Sequence, residues 1–118
     1  MCLDNGNKEK HDVCTQYLHY EWDPKTNEIN RVKHGVSFEE AATAFDDPNA
    51  LLIADYYHSS EEERFILLGV SNKDRILYVC HCYRDPGDRI RIISARKATE
   101  KEVLLYVEKL PEDPADGR

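Results

Sequence analysis

The chain has 118 residues, with 16 Lys and Arg against 23 Asp and Glu, and its formal net charge is −7. This length predicts one domain that buries about two-thirds of its unfolded surface, so neither a metal nor a disulfide is needed for folding. No apolar run approaches the roughly 18 residues of a membrane span, and the N-terminal residues lack the apolar core of a signal peptide. We therefore expect a cytoplasmic protein with reduced cysteines and no membrane contact.

The N-terminal third of the chain predicts an arm, a strand and a helix. Residues 1–15 are polar and aperiodic, which is typical of a flexible arm, whereas residues 17–22 alternate as a short strand does. Asp23 can cap a helix that begins at Pro24, and Gly35 can end it.

Two helices are predicted before residue 50, and their apolar faces differ. The first has only a thin apolar stripe, made by Ile29 and Val32. The second begins at Ser37, which is spaced as a capping box with Glu40. Its broader apolar face predicts burial in the core, and the residues of that face are Phe38, Ala41, Ala42 and Phe45.

From residue 50 onward the apolar period changes from helical to alternating. Short runs rich in Ile, Leu, Val and Tyr predict strands at residues 50–57, 64–70, 75–83 and 89–95. The sequences SNKD and DPGD, which separate the last three runs, are typical of hairpin turns. Strands joined by such tight turns form a largely antiparallel sheet.

The C-terminal residues predict one more helix and a tail. Thr99 and Glu102 have the spacing of a second capping box, Pro111 ends the helix, and residues 111–118 are predicted to be disordered. The predicted order of elements is β-α-α-β-β-β-β-α. Three helices and a sheet of about five strands are then expected to pack as a single two-layer α+β domain over residues 16–110.

One stretch of this acidic chain contains cations without acids. Residues 89–98 contain no Asp or Glu, and their four cations are Arg89, Arg91, Arg96 and Lys97. Arginine is tolerated on the solvent face of an edge strand, but such a stretch also attracts anions.

The predicted pairing of the two strands that flank the DPGD turn favours an anion bound between arginines. A hairpin around this turn places Arg84 opposite Arg89 and Cys82 opposite Arg91, and like charges directly opposite each other are destabilising. We therefore expect an anion, or the carboxylate of a partner, between these three arginines.

The position of the other arginines depends on the SNKD hairpin. In one register Arg64 lies opposite His81, on the other face of the sheet and with Arg96 at its rim. A slip of one residue would exchange the two faces. The sequence therefore leaves open whether the arginines form one cluster or two.

Several fragments, in unbroken order from about Tyr20 to Glu108, resemble the BrnT toxins of bacterial type II toxin–antitoxin systems. They are YEWDPKTNEINRVKHGVSFEEA, FDDP, EEERF, LGVS and RIRIISARKAT, followed by Tyr106. The resemblance implies a fold similar to that of RelE-type ribonucleases, and RNA cleavage that inhibits translation and uses no metal or other cofactor. It also implies neutralisation by a BrnA-type antitoxin, through which alone the toxin would meet operator DNA.

The resemblance also implies roles for individual residues. Metal-independent cleavage needs a base at the 2′-OH, cations at the phosphorane and an acid at the leaving 5′ oxygen. The implied catalytic residues are Arg64, Arg91 and Arg96 for the phosphate, His34 or Glu63 as base, and Tyr106 as acid. The implied further contacts to substrate are Lys33, Arg84, Arg89 and Lys97.

Two other functions are compatible with the sequence. Residues 20–108 carry 12 cations against 17 anions, a charge of −5, so a catalytically degenerate protein that only binds its antitoxin and regulates its operon is an alternative. The Cys-His-Cys sequence at 80–82 could instead bind a metal together with His11. Two cysteines at this spacing in a strand also serve as small core residues, however.

Overall fold

The computed structural model describes residues 11–15, 18–55, 62–84 and 89–111. The first ten residues of the predicted arm, the DPGD turn and the tail from residue 112 lie outside these ranges. In chain order the elements are β1 (His11–Thr15), β2 (Leu18–Trp22), α1 (Pro24–His34), α2 (Phe38–Ala44), β3 (Leu51–Ala54), β4 (Phe65–Val70), β5 (Ile76–Arg84), β6 (Arg89–Lys97) and α3 (Glu100–Glu108). Within the described ranges, none of these helices has the length and apolar character to cross a membrane.

The strands form one six-stranded sheet in the order β1-β2-β6-β5-β4-β3. Neighbouring strands are antiparallel except β2 and β6, which run parallel. The predicted α+β class, with three helices and a mainly antiparallel sheet, is confirmed. β1 is a strand that the sequence pattern did not predict, because residues 11–15 show no clear apolar alternation. Its pairing with β2 rests on main-chain hydrogen bonds, which need no such pattern.

The core lies between α2 and one face of the sheet, which we call the helix face. Phe38 and Ala41 of α2 are 0% exposed and pack on this face, as their helical spacing predicted. Strand residues of the helix face reach the core from β2, β4, β5 and β6, at alternate positions except across one irregularity in β6. They are Tyr20, Trp22, Leu67, Leu77, Val79, Ile90, Ile92 and Ala95.

Helix α1 attaches to the sheet through an amide. Asn30 is its buried residue, and its Nδ2 donates to the main-chain oxygens of Val36 and Ala95, both at 2.8 Å. Its Oδ1 accepts from the main-chain N of Ala95 at 3.1 Å. The expected apolar stripe is wrong, because Ile29 and Val32 are 64% and 72% exposed.

The ends of α1 and α3 follow the sequence signals. Asp23 caps α1, and Gly35 ends it with a φ of 71°, a left-handed conformation that glycine adopts without strain. Thr99 and Glu102 form the complete capping box that their spacing predicted for α3.

The capping box predicted for α2 is only half formed. Ser37 Oγ accepts from the main-chain N of Glu40 at 3.0 Å, but the Glu40 carboxylate binds Arg75 and Ser71 instead. Ser71 Oγ donates to Oε2 of Glu40 at 2.6 Å, and Arg75 Nε donates to the same oxygen at 3.0 Å. The side chain of Glu40 is 2% exposed and that of Arg75 is 29% exposed, and this ion pair ties α2 to the turn between β4 and β5.

We expect this ion pair to make folding stability sensitive to acid. Burial opposes ionisation of Glu40, but the hydrogen bonds from Arg75 and Ser71 outweigh it and lower the pKa of Glu40 below its ordinary value of 4.5. As the pH falls from 4.5 through that lower value, the unfolded state binds the proton first and the free energy of unfolding decreases. Urea unfolding between neutral pH and about pH 3 measures this loss. The Glu40→Gln variant should have a lower free energy of unfolding than wild type at neutral pH, and this free energy should decrease less in acid. An equally steep decrease in the variant would contradict the assignment to Glu40.

Candidate functional site

The sheet face opposite the helix face carries the arginines, and we call it the arginine face. Register partners share a face of a sheet. Arg84 pairs with Arg89, and Arg91 pairs with both Cys82 and Glu21, so the pairing predicted across the β5–β6 hairpin is confirmed. The residues that define the arginine face are Glu21, Arg64, Tyr78, Cys80, Cys82, Arg84, Arg89, Arg91 and Arg96.

A glutamate from β2 lies among three of these arginines. Glu21 Oε1 is 3.4 Å from Arg89 Nη1, and Glu21 Oε2 is 3.4 Å from Arg91 Nη1. The same Oε2 is 4.0 Å from Arg84 Nε, and Arg84 Nη1 is also 3.6 Å from Glu62 Oε2. The expected anion between the arginines is therefore supplied by the chain itself. We call Glu21, Arg84, Arg89 and Arg91 the Glu21 cluster.

The carboxylates do not exhaust the binding capacity of these arginines. Among the described residues, three guanidinium groups share the carboxylates of Glu21 and Glu62. The separations exceed the roughly 2.8 Å of a strong charge-assisted hydrogen bond. The arginine side chains are also 31–42% exposed, whereas that of Glu21 is 6% exposed. Guanidinium N–H groups thus remain able to bind a further anion from solvent.

A β-bulge brings Arg96 onto the arginine face. The pairing of β6 with β5 shifts by one residue and skips Ile93. With regular pairing Arg96 would lie opposite Leu77 on the helix face, but after the bulge it pairs with Tyr78. The expectation that Arg96 lies on the face of His81 was therefore wrong, because it assumed an unbroken ladder.

Arg96 is held on two sides. Its guanidinium carbon lies 3.7 Å from the centroid of the Tyr78 ring, which is a cation–π contact. Nη1 and Nη2 donate to the two carboxylate oxygens of Glu102 at 2.9 and 3.0 Å, and these hydrogen bonds raise the pKa of Arg96. This bidentate pair attaches the start of α3 to the sheet.

Arg64 also lies on the arginine face. Phe65, and not Arg64, is the partner of His81, so of the two registers left open the one slipped by one residue is found. Ile66 pairs with Cys80, so alternation along the chain puts Arg64 on the face of Cys80 as well. Burial raises the pKa of Cys80, and the charge of Arg64 acts against that rise. All five arginines therefore share one face, although only Arg84, Arg89 and Arg91 contact Glu21.

Four other residues implied by the resemblance lie apart from the Glu21 cluster. Lys33 and His34 are in the last turn of α1, and Glu63 is exposed just before β4. No hydrogen bond or ion pair among the described residues joins the side chains of these three to the arginine face. Lys97 pairs with Leu77, so it lies on the helix face, at the exposed end of β6.

Tyr106 lies near the C-terminal end of α3, and its hydroxyl is hydrogen-bonded. Its hydroxyl donates to Asp47 Oδ2 at 2.6 Å, and the residue is 5% exposed. Burial and the hydrogen bond to Asp47 raise the pKa of Tyr106 to about 12. Asp47 Oδ2 also accepts from the main-chain N of Val70 at 2.9 Å, so Tyr106 anchors α3 near β4. Its role as proton donor stays a prediction.

The Cys-His-Cys sequence does not converge on one point. His81 lies on the helix face at 0% exposure, where burial lowers its pKa to about 4, and its ring packs against Phe45 and Phe65. Cys80 and Cys82 lie on the arginine face, where burial raises the pKa of both thiols. Alternation along β5 thus directs the histidine away from the two cysteines.

Sequence reasoning missed several residues that complete this surface, namely Glu21, Glu62, Tyr78 and Glu102. A carboxylate between the aromatic residues Tyr20 and Trp22 was a usable signal, because such a strand position is half-buried and an acid there needs a cation. The parallel pairing of β2 with β6, which identifies that cation, is not visible in the chain.

Clustered arginines on the sheet of a small α+β domain are typical of proteins that bind anionic ligands. The family model described as the ribonuclease toxin BrnT of type II toxin–antitoxin systems matches residues 22–102. This match covers more than half of the chain, so the chain belongs to the BrnT family of ribonuclease toxins. The predicted resemblance is confirmed.

The fold has a counterpart among solved structures. The crystal structure of the Brucella abortus ribonuclease toxin BrnT is similar with a TM-score of 0.52, at 21% sequence identity. The match covers 67% of this chain and 94% of that one. No curated protein matches the sequence.

Proposed function

We propose that this toxin is a metal-independent endoribonuclease that stops translation by cutting RNA at the arginine face. The observation that supports it most is the Glu21 cluster, in which three half-exposed arginines converge on one buried carboxylate. RNA offers phosphates that match the planar fork of a guanidinium. Ribosome-associated mRNA is one source of such RNA.

The proposed chemistry assigns the negative charge of the phosphorane to guanidinium groups. Arg91 and Arg64 contribute, together with Arg96 once RNA competes with Glu102 for it. Fixed cations at a partly dry surface stabilise developing charge without reorganisation, which is why arginines can take the place of a metal here. His34, Glu63 and Tyr106 remain candidates for proton transfer, and the candidates for further substrate contacts are Lys33, Arg84, Arg89 and Lys97.

We further propose a BrnA-type antitoxin as the partner that neutralises the activity. An acidic segment of that protein would compete with RNA for the arginine face, since both present anions. Operator DNA would be contacted through the antitoxin, because the toxin's own net charge of −7 disfavours duplex binding. This complex would operate in the cytoplasm, where toxin and mRNA meet, and the RelE-like character of the fold is part of the same proposal.

One observation favours a second candidate function. Arg96 is already bound by both oxygens of Glu102, and the Glu21 cluster has its own carboxylate. A catalytically degenerate toxin with this surface would bind its antitoxin and regulate the operon without cutting RNA.

Purified protein should cleave single-stranded RNA in the presence of excess EDTA. The arginines supply the charge stabilisation, so removal of divalent ions should leave the rate within about twofold. The measurement is gel analysis of a labelled RNA, with and without ribosomes. Cleavage abolished by EDTA and restored by Mg²⁺ would contradict metal independence, and no cleavage by folded protein under any of these conditions would favour the antitoxin-binding function.

A further inference from the structure

Glu21 is an acidic side chain that contacts all three arginines of its cluster. It lies on β2, between β1 and β6 in the sheet, and only 5% of the residue is exposed. Each carboxylate oxygen faces a different strand residue, Oε1 towards Arg89 and Oε2 towards Arg91. An ionised group this buried, at the centre of a candidate site, requires an explanation.

Sheet stability alone does not explain the arrangement. One bidentate arginine satisfies a carboxylate, as Arg96 does for Glu102 at 2.9 and 3.0 Å. Around Glu21 no guanidinium approaches within 3.4 Å, so the carboxylate keeps acceptor capacity. A negative charge beside phosphate-binding arginines also repels the phosphate. Such a carboxylate weakens phosphate binding, and a part in the reaction would explain why it is there.

We propose that Glu21 is the general base of RNA cleavage, an assignment that rests on the ribonuclease function proposed above. A phosphate bound by Arg89 and Arg91 lies beside Glu21, because the same two Nη1 atoms contact the carboxylate. The ribose 2′-OH adjacent to that phosphate then comes within hydrogen-bond reach of the carboxylate. Glu21 thus takes the role that the resemblance gave to His34 or Glu63.

The chemical step balances without a cofactor. Glu21 takes the proton of the 2′-OH, and the 2′ oxygen uses its electron pair to form a bond to phosphorus. The bond from phosphorus to the 5′ oxygen breaks, and its electron pair stays on that oxygen. Water protonates the 5′ oxygen, and the hydroxide formed takes the proton from Glu21. The products are a 2′,3′-cyclic phosphate and a 5′-hydroxyl, with no net change in protons.

A positioning role for Glu21 is the competing explanation, because a carboxylate also keeps three mutually repelling arginines together. The two roles differ in what they predict for binding. If Glu21 is the base, removing its negative charge slows only the chemical step. The arginines then attract RNA at least as well as before. Without a positioning residue the arginines separate, and RNA binding weakens.

Glu21→Gln is the variant that separates these roles, because it keeps the shape of the side chain and removes its charge. We expect kcat for an RNA oligonucleotide to fall about 100-fold or more, with KM unchanged or lower. Affinity for the same oligonucleotide with 2′-O-methyl groups, which cannot be cleaved, should be unchanged or tighter. Glu28→Gln is the matched control, since it makes the same charge change on the exposed surface of α1, and it should behave as wild type.

Each other outcome overturns the proposal. Parallel loss of kcat and of 2′-O-methyl RNA binding would assign Glu21 a positioning role, and an unchanged kcat would place the base elsewhere. If Glu21→Gln does not fold, Glu21→Asp replaces it, and its shortened carboxylate should lower kcat about 10- to 100-fold at constant KM. A wild-type protein that does not cleave RNA would instead remove the proposed function, and this base with it.

Discussion

Arg91→Ala is expected to lower the rate of RNA cleavage by about 100- to 1,000-fold, which is the range measured when one preorganised charge-stabilising group is removed from an active site. Arg91 is the central arginine of the cluster, with Glu21 and Cys82 as its register partners on the two neighbouring strands. Its side chain is 31% exposed, so truncation leaves no cavity in the core. The fold should survive while the phosphate loses a donor. Single-turnover cleavage of a labelled RNA, with circular dichroism for the fold, gives the result.

Two further variants make this test specific. Arg91→Lys keeps the charge but loses the planar fork, and we expect a rate between those of wild type and the alanine variant. Arg31→Ala removes an arginine from the exposed surface of α1, where it pairs with Glu28, and should cleave at the wild-type rate. An Arg91→Ala protein that still cleaved normally would show that the reaction occurs away from the arginine face.

Asn30→Ala is expected to lower the free energy of unfolding by about 3 kcal/mol or more, the largest loss of stability among the variants proposed for this protein. The amide satisfies the main-chain oxygens of Val36 and Ala95 and the main-chain N of Ala95, all at 2.8–3.1 Å. Truncation leaves these buried groups without a partner, and α1 has no apolar stripe to hold it in place. Domains of this size are stable by only about 5–15 kcal/mol in total.

Equilibrium urea unfolding measures that loss. Asn49→Ala is a suitable control, because Asn49 is exposed and the hydrogen bond that it donates to Asp47 comes from its main chain. We expect its effect to stay within about 0.5 kcal/mol. A similarly small effect for Asn30→Ala would mean that water replaces the amide and that α1 is held by other contacts.

Local signals in the chain predicted most of the elements. The cap at Asp23, the glycine at 35 and the box formed by Thr99 and Glu102 set the helix ends, because each acts on main-chain groups a few residues away. The β5–β6 register was predicted for the same reason, since a tight turn fixes the first pairs of a hairpin. These features depend on near neighbours in the sequence.

The features that organise the candidate site depend on distant residues. The contacts of Arg89 and Arg91 with Glu21 span 68 and 70 positions, and they exist only because β2 lies parallel to β6. The capping box predicted for Glu40 failed because a stronger partner, Arg75, arrives from 35 residues away. The arginines were recognisable one by one, but their carboxylate could not be assigned without the sheet order.

The bulge at Ile93 has a consequence for comparing this chain with its relatives. Arg91 and Arg96 are five residues apart, an odd spacing that a regular strand would direct to opposite sides of the sheet. A relative with an even spacing and a regular strand would present the same pair of cations, although an alignment column by column would count one of them as missing. Conversely, loss of the bulge without the deletion of a residue would place Arg96 opposite Leu77 on the helix face, where its charge has no partner. The number of residues between the two arginines and the presence of the bulge therefore have to be compared together.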